Sequence, residues 1–125
     1  MRVTGIGGIF FKAKDPQSTY AWYEKHLGMR FDPRFKSVDF VSKDAQSGEE
    51  THTYWSLFKQ DTKYFEPSSA SMMINYRVAD MDAVCAALEA EGVKILGRQD
   101  ERYGRFAWIM DPEGNKIELW APGKE

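Results

Sequence analysis

One pattern occurs twice in this chain, and it constrains the fold more than anything else in the sequence. IFFKAKDPQSTYAWYEKHLGMRF, from Ile9 to Phe31, reads as a strand, a turn at Asp15-Pro16, an amphipathic helix, a glycine stop at Gly28 and another strand. MINYRVADMDAVCAALEAEGVKIL, from Met73 to Leu96, reads the same way, with Asp80 and Gly92 in the equivalent places. Each acid is suited to capping its helix, and each glycine can adopt the left-handed conformation that ends one. Apolar residues at three- and four-residue steps, Tyr20, Trp22, Tyr23 and Leu27 in one helix and Val84, Cys85, Ala87 and Leu88 in the other, predict that both helices lie on a sheet.

Further strands are expected after each helix: Met29 to Asp32, Ser37 to Ser42 and His52 to Phe58 in the first half, and Val93 to Leu96, Arg105 to Met110 and Lys116 to Trp120 in the second. The polar stretch KQDTKYFEPSSAS, with its Pro67, reads as a linker over about 61–70, between a module at about 1–60 and another at about 71–122. The expected fold class is α+β: two tandem βαβββ modules in one domain over 1–125, forming a curved eight-stranded mixed sheet, a cup or open barrel with its helices outside.

Composition excludes several partners. With 125 residues, 42% hydrophobic, and a net charge of −2 from scattered Lys, Arg, Asp and Glu, the chain suits a globular domain and neither nucleic acid nor an anionic membrane surface. No apolar run reaches the roughly 20 residues that a spanning helix needs, and MRVTGIGG lacks a secretory core, so a cytoplasmic protein is expected. The single cysteine, Cys85, falls in a helical core pattern. No phosphate loop is present, and two histidines supply no Ser-His-acid set on spacing. His26 reads as an exposed residue near a helix end.

The closing DPEGNKIELW poses the functional question. Asp111-Pro-Glu-Gly-Asn is a turn in which Gly114 or Asn115 takes positive φ, so Ile117 and Leu119 share one face of the outgoing strand and Lys116, Glu118 and Trp120 the other. An acid therefore points into whatever the second face encloses. The same alternation places Gly8, Phe10 and Lys12, then His52, Tyr54, Ser56 and Phe58, then Met73, Asn75 and Arg77 toward that space, with Phe106, Trp108 and Met110 on the remaining strand. Two readings follow: an aromatic pocket for a small molecule, with Asn75 or Arg77 orienting a carbonyl or carboxylate, or side chains that simply fill the interior. Glu118 is either neutralised by Arg77 or Lys116 as an ion pair, or partly desolvated and able to act as a general base.

The duplicated pattern, the opening FFKAKDPQSTYAWYEKHLGM and the closing DPEGNKIELW together resemble the vicinal oxygen chelate superfamily, which holds glyoxalase I, extradiol dioxygenases, fosfomycin-resistance transferases and bleomycin-binding proteins. The resemblance runs over nearly the whole chain and implies a small single-chain member with the cup-shaped fold. In metal-dependent members it also implies four ligand positions, which fall here on Gly8 and Met73, each seven residues before its helix-capping aspartate, on Glu118, and on Ser56, or Trp55 if the register is off by one. Of these Glu118 alone keeps a metal-binding side chain, as a vestigial ligand, and His52 is the residue that could supplement it.

Two functions are therefore expected from the resemblance. One is a binding protein without a complete metal site or other cofactor, taking a small aromatic or amphipathic molecule among Phe10, His52, Tyr54, Ser56, Phe58, Met73, Asn75, Arg77, Trp108 and Trp120. The other is a glyoxalase-like lyase or isomerase using zinc, nickel, manganese or iron at Glu118, the candidate catalytic residue, with His52. A homodimer is expected as well, from the common pairing of proteins of this fold and from an aromatic surface around Tyr64 and Phe65.

Overall fold

A computed structural model describes residues 2–34 and 36–123. The elements run β1 (Val3–Ala13), α1 (Pro16–Leu27), β2 (Val38–Lys43), β3 (Glu50–Lys59), β4 (Met72–Val78), α2 (Met81–Ala90), β5 (Gly97–Glu101), β6 (Gly104–Met110) and β7 (Lys116–Pro122). The strands form one open mixed sheet in the order β2-β3-β1-β4-β7-β6-β5. Parallel pairing of β1 with β3 and of β4 with β7 flanks a central antiparallel pair, β1 with β4.

The helix caps follow the sequence. Asp15 accepts from the Ser18 amide at 3.3 Å and Asp80 from that of Ala83 at 3.0 Å, satisfying first-turn donors that have no intrahelical partner. Gly28 closes α1 at φ 69°, and Gly92 takes φ 86° just beyond α2. In the closing turn Gly114 has the positive φ, 83°, while Asp111 accepts from the amides of Glu113 and Asn115.

The helices share one face of the sheet. Met81, Val84 and Cys85 of α2 pack on Val78, Ala107, Ile109, Leu119 and Ala121; Tyr20 of α1 is buried with Val38 and Trp55, with Phe11, Tyr23 and Phe31 against them. Cys85 is buried in this core, and His26 is exposed beside Trp22. Trp22 and Leu27, expected on the buried stripe of α1, are exposed. The sheet contacts only the side of α1 that carries Tyr20 and Tyr23.

The expected eighth strand does not form. Met29 to Asp32 contributes one isolated bridge, Asp32 with Ser37, because the chain turns at once through Pro33 and Met29 and Phe31 are drawn onto the α1 core instead. Phe31 stacks on Tyr20 at 4.1 Å, and the Tyr20 hydroxyl accepts from the Leu57 amide and donates to the Lys36 carbonyl. The fifth strand also sits later than Val93 to Leu96. Val93 and Ile95 pack as coil against the core, and the ladder with β6 runs through the polar Gly97–Glu101, an edge strand whose solvated sides need no apolar alternation.

Edge strand β5 is tied to α2 by charge. Arg98 and Arg105 both bond Asp82, and Arg105 also reaches Asp100. Hydrogen bonds from Arg105 and Arg98 hold the Asp82 carboxyl well below its usual range. A depressed folded-state pKa contributes stability that is present above the unfolded value and lost as pH falls through the folded one. Acid titration below about pH 4 is therefore expected to lower the melting temperature less in Asp82→Asn than in the parent. An identical acid dependence in the two proteins would contradict this.

Candidate functional site

The face opposite the helices carries the site. One lateral row of paired residues crosses all the strands there: Asp39, Tyr54, Gly8, Asn75, Glu118, Trp108 and Gly97. A neighbouring row pairs Ser56 and Met73 with Phe10, and another pairs Arg77 and Phe106 with Trp120. Phe10 pairs with Ser56 as Asn75 pairs with Glu118, which makes Ser56 the counterpart of Glu118. Trp55 faces the other way, into the α1 core.

A cleft of about 800 Å³ opens on this face. Its walls are Phe10, Tyr54, Tyr103, Phe106 and Trp120, with Ser56, Asn75 and Glu118 among the polar groups and Asp32, Arg34, Ser37 and Asp39 toward β2. Tyr54 and Phe106 flank Trp120 at 6.0 and 6.4 Å, the latter nearly parallel. Burial, assisted by the charge of Asp39, pushes the Tyr54 phenol above its ordinary pKa.

Glu118 is 3% exposed and has no cationic hydrogen-bond partner among the described residues. Its Oε1 accepts from Asn75 Nδ2 at 2.7 Å, and its Oε2 accepts from Trp108 Nε1 at 2.9 Å and from the Tyr64 hydroxyl. Three neutral donors thus replace water around a buried carboxylate, the condition under which burying one is tolerable. Of the two readings, the ion pair with Arg77 or Lys116 is not what holds it. Arg77 instead donates to the carbonyls of Ile6 and His52, with its guanidinium packed where Gly5 has no side chain. Lys116 donates to the Tyr64 carbonyl at 2.7 Å and lies over the Tyr64 and Trp108 rings, and burial pulls its pKa down.

The stretch read as a polar linker forms part of this site. Phe65 is 0% exposed, edge-on to Phe58 at 5.2 Å with Lys12 Nζ over its ring, and Tyr64 stacks on Phe58 at 5.6 Å as it reaches Glu118. The segment is a strap that closes one end of the sheet face, so Phe65 belongs to no exposed patch awaiting a second copy. Burial, and then the charge of Glu118, raises the Tyr64 phenol well above its ordinary range.

The sequence-predicted residues therefore divide. Phe10, Tyr54, Ser56, Asn75, Glu118 and Trp120 line the cleft. Met73 is 1% exposed and is core, Phe58 supports the strap, Trp108 and Arg77 act through hydrogen bonds behind the wall, and His52 pairs with Asp39 at 2.9 Å outside the cleft. Asp39, Ser37, Asp32, Arg34 and Tyr103 were missed, because loops and an edge strand bring them in and no period marks them. Gly7 was missed too, since the β1 register shifts between Ile6 and Gly8.

The donor set does not fit the divalent ion that the family resemblance implies. At Gly8 the place of a ligand is taken by Phe10, whose Cζ lies 2.7 Å from where a methyl group would stand. Met73 offers a buried thioether, Ser56 a hydroxyl, and Glu118 a carboxylate already engaged by three donors. Among the described residues no three His, Cys, Asp or Glu side chains converge. Nor is any helix among them long and apolar enough to cross a membrane.

Comparison with known proteins gives a family and a fold. The model of the Glyoxalase/Bleomycin resistance protein/Dioxygenase superfamily matches residues 5–119. A variant of Streptomyces coelicolor methylmalonyl-CoA epimerase in complex with 2-nitronate-propionyl-CoA aligns with a TM-score of 0.69 and 20% identity, over 98% of this chain and 99% of its own. Methylmalonyl-CoA epimerase from Mycobacterium tuberculosis gives 0.61 and 22%, over 98% and 91%. A Legionella pneumophila structure described as an NAD-dependent benzaldehyde dehydrogenase gives 0.59 and 16%, over 92% and 97%. At such identities the likeness is one of fold. No curated protein matches the chain in sequence.

Proposed function

Since the chain belongs to the Glyoxalase/Bleomycin resistance protein/Dioxygenase superfamily, as its closing motif suggested, we propose that it binds a small aromatic or amphipathic molecule in the cleft without a catalytic metal. The observation that carries this reading is an aromatic-walled cleft of about 800 Å³ whose buried acid is already engaged by Tyr64, Asn75 and Trp108. Wall volume and composition of this kind suit a drug-sized planar ligand held by stacking. With three hydrogen bonds already accepted, most of the lone-pair capacity of this carboxylate is committed to holding Tyr64, Asn75 and Trp108 in place.

A second reading, a lyase or isomerase using a divalent ion at Glu118, draws support from the place of Glu118 in the cleft wall and from the epimerases among the structural neighbours. One experiment separates the two. Planar aromatic compounds are expected to quench tryptophan fluorescence and raise the melting temperature, and zinc, nickel, manganese or ferrous ion to leave it where it is. A metal-dependent rise of several degrees that disappears in Glu118→Ala, with no response to any aromatic compound, would overturn the metal-free binding reading and leave the second.

A further inference from the structure

Among the described residues, the buried side-chain polar atoms without a hydrogen-bond partner are Asn75 Oδ1 and Trp120 Nε1, and both belong to walls of the cleft. Asn75 itself is 2% exposed. A buried acceptor left unpaired is costly and uncommon in folded proteins, which makes this one a candidate contact for a ligand. The orientation of this amide is dictated by chemistry. A carboxylate only accepts hydrogen bonds, so the Asn75 NH2 group must face Glu118 Oε1, as it does at 2.7 Å, and Oδ1 must face away. It faces the notch at Gly7, where a methyl group would stand 2.4 Å from Oδ1 and 2.7 Å from Trp120 Cε3.

Building on the binding reading, we infer that Glu118 is a positioning residue: it fixes the Asn75 amide so that the cleft presents an acceptor, and so selects aromatic ligands that carry an N–H or O–H donor. Gly7 contributes by having no side chain, since a methyl group there would press on both Oδ1 and the Trp120 ring. Oδ1 is closed off from solvent, so a ligand's donor must displace the Trp120 ring on the other side of the notch to reach it. Tyr64 and Trp108 contribute by satisfying Oε2, so that Oε1 remains for Asn75.

Glu118→Gln tests this, because it makes an unusual prediction. Trp108 Nε1 can only donate, so the glutamine must turn its carbonyl oxygen to Trp108 and Tyr64. Its NH2 group then faces Asn75, which must reverse, presenting a donor to the notch. In the parent, 2-naphthol is expected to bind about tenfold more tightly than 2-methoxynaphthalene, one hydrogen bond's worth, and in Glu118→Gln that ratio falls by about tenfold. Nuclear Overhauser contacts of the Asn75 side-chain amide protons report the reversal without a ligand, running to Glu118 in the parent and to the Gly7 α-protons in the variant. Asn75→Leu, which removes the acceptor, gives the same loss of ratio should Glu118→Gln not fold. Equal binding of the two probes by the parent, or an unchanged ratio in a folded variant, overturns the inference and leaves the binding reading standing. Binding of neither probe, nor of any other aromatic compound, overturns that reading and the inference with it.

Discussion

Phe65→Ala is expected to lower stability by about 3–5 kcal/mol, the cost of truncating a fully buried aromatic side chain whose site cannot collapse. For a chain of this length that is a fall of roughly 10 °C or more in melting temperature. The residue is completely buried against Phe58 and beneath Lys12, and its carbonyl accepts from the Ser68 amide, so the ring and the strap turn it belongs to are held together. The strap supplies the Tyr64 hydroxyl to Glu118, so the variant should also lose ligand binding ahead of global unfolding. Differential scanning calorimetry and a fluorescence titration at a temperature where the variant is folded would check both effects. A change within about 1 kcal/mol, the range of surface substitutions, would mean that the strap is only loosely docked.

Glu118→Ala is expected to destabilise by about 2–4 kcal/mol, for a different reason. The substitution strips the acceptor from Asn75, Trp108 and Tyr64 at once and leaves a void in the sheet face. The direction of this effect is diagnostic. Acids held against their own preference for catalysis commonly give stability back when removed, because the active site stores the cost of burying them. Here the carboxylate is the shared acceptor of three donors, and removing it strands them. Chemical denaturation of the parent, Glu118→Ala and Glu118→Gln is expected to place the alanine variant lowest and glutamine close to the parent, since glutamine retains an oxygen for Trp108 and Tyr64. An alanine variant more stable than the parent would revive Glu118 as a strained catalytic group.

Much of this architecture was legible in the residues, for local reasons. Asp15 and Asp80 cap because their side chains reach amides of the first helical turn, Gly28 and Gly114 take positive φ at little cost, and strict alternation along β7 puts Ile117 and Leu119 under α2 and Glu118 on the other face. These features depend on sequence neighbours, so the sequence alone determined them, and with them the family. The tertiary structure decided the rest. Whether Met29 to Asp32 would pair or pack depended on Tyr20, on the helix before it, offering Phe31 a ring to stack on. Whether KQDTKYFEPSSAS would span solvent or fold over the sheet depended on the space beside Phe58 that receives Phe65. Whether Glu118 would meet a metal, an arginine or neutral donors depended on which side chains three other segments delivered to it. Period and propensity describe how a segment presents its faces, whereas the partner of a buried carboxylate is fixed by long-range register and by side-chain reach. In this chain those brought Tyr64, Asn75 and Trp108 to Glu118 and left Arg77 and His52 elsewhere.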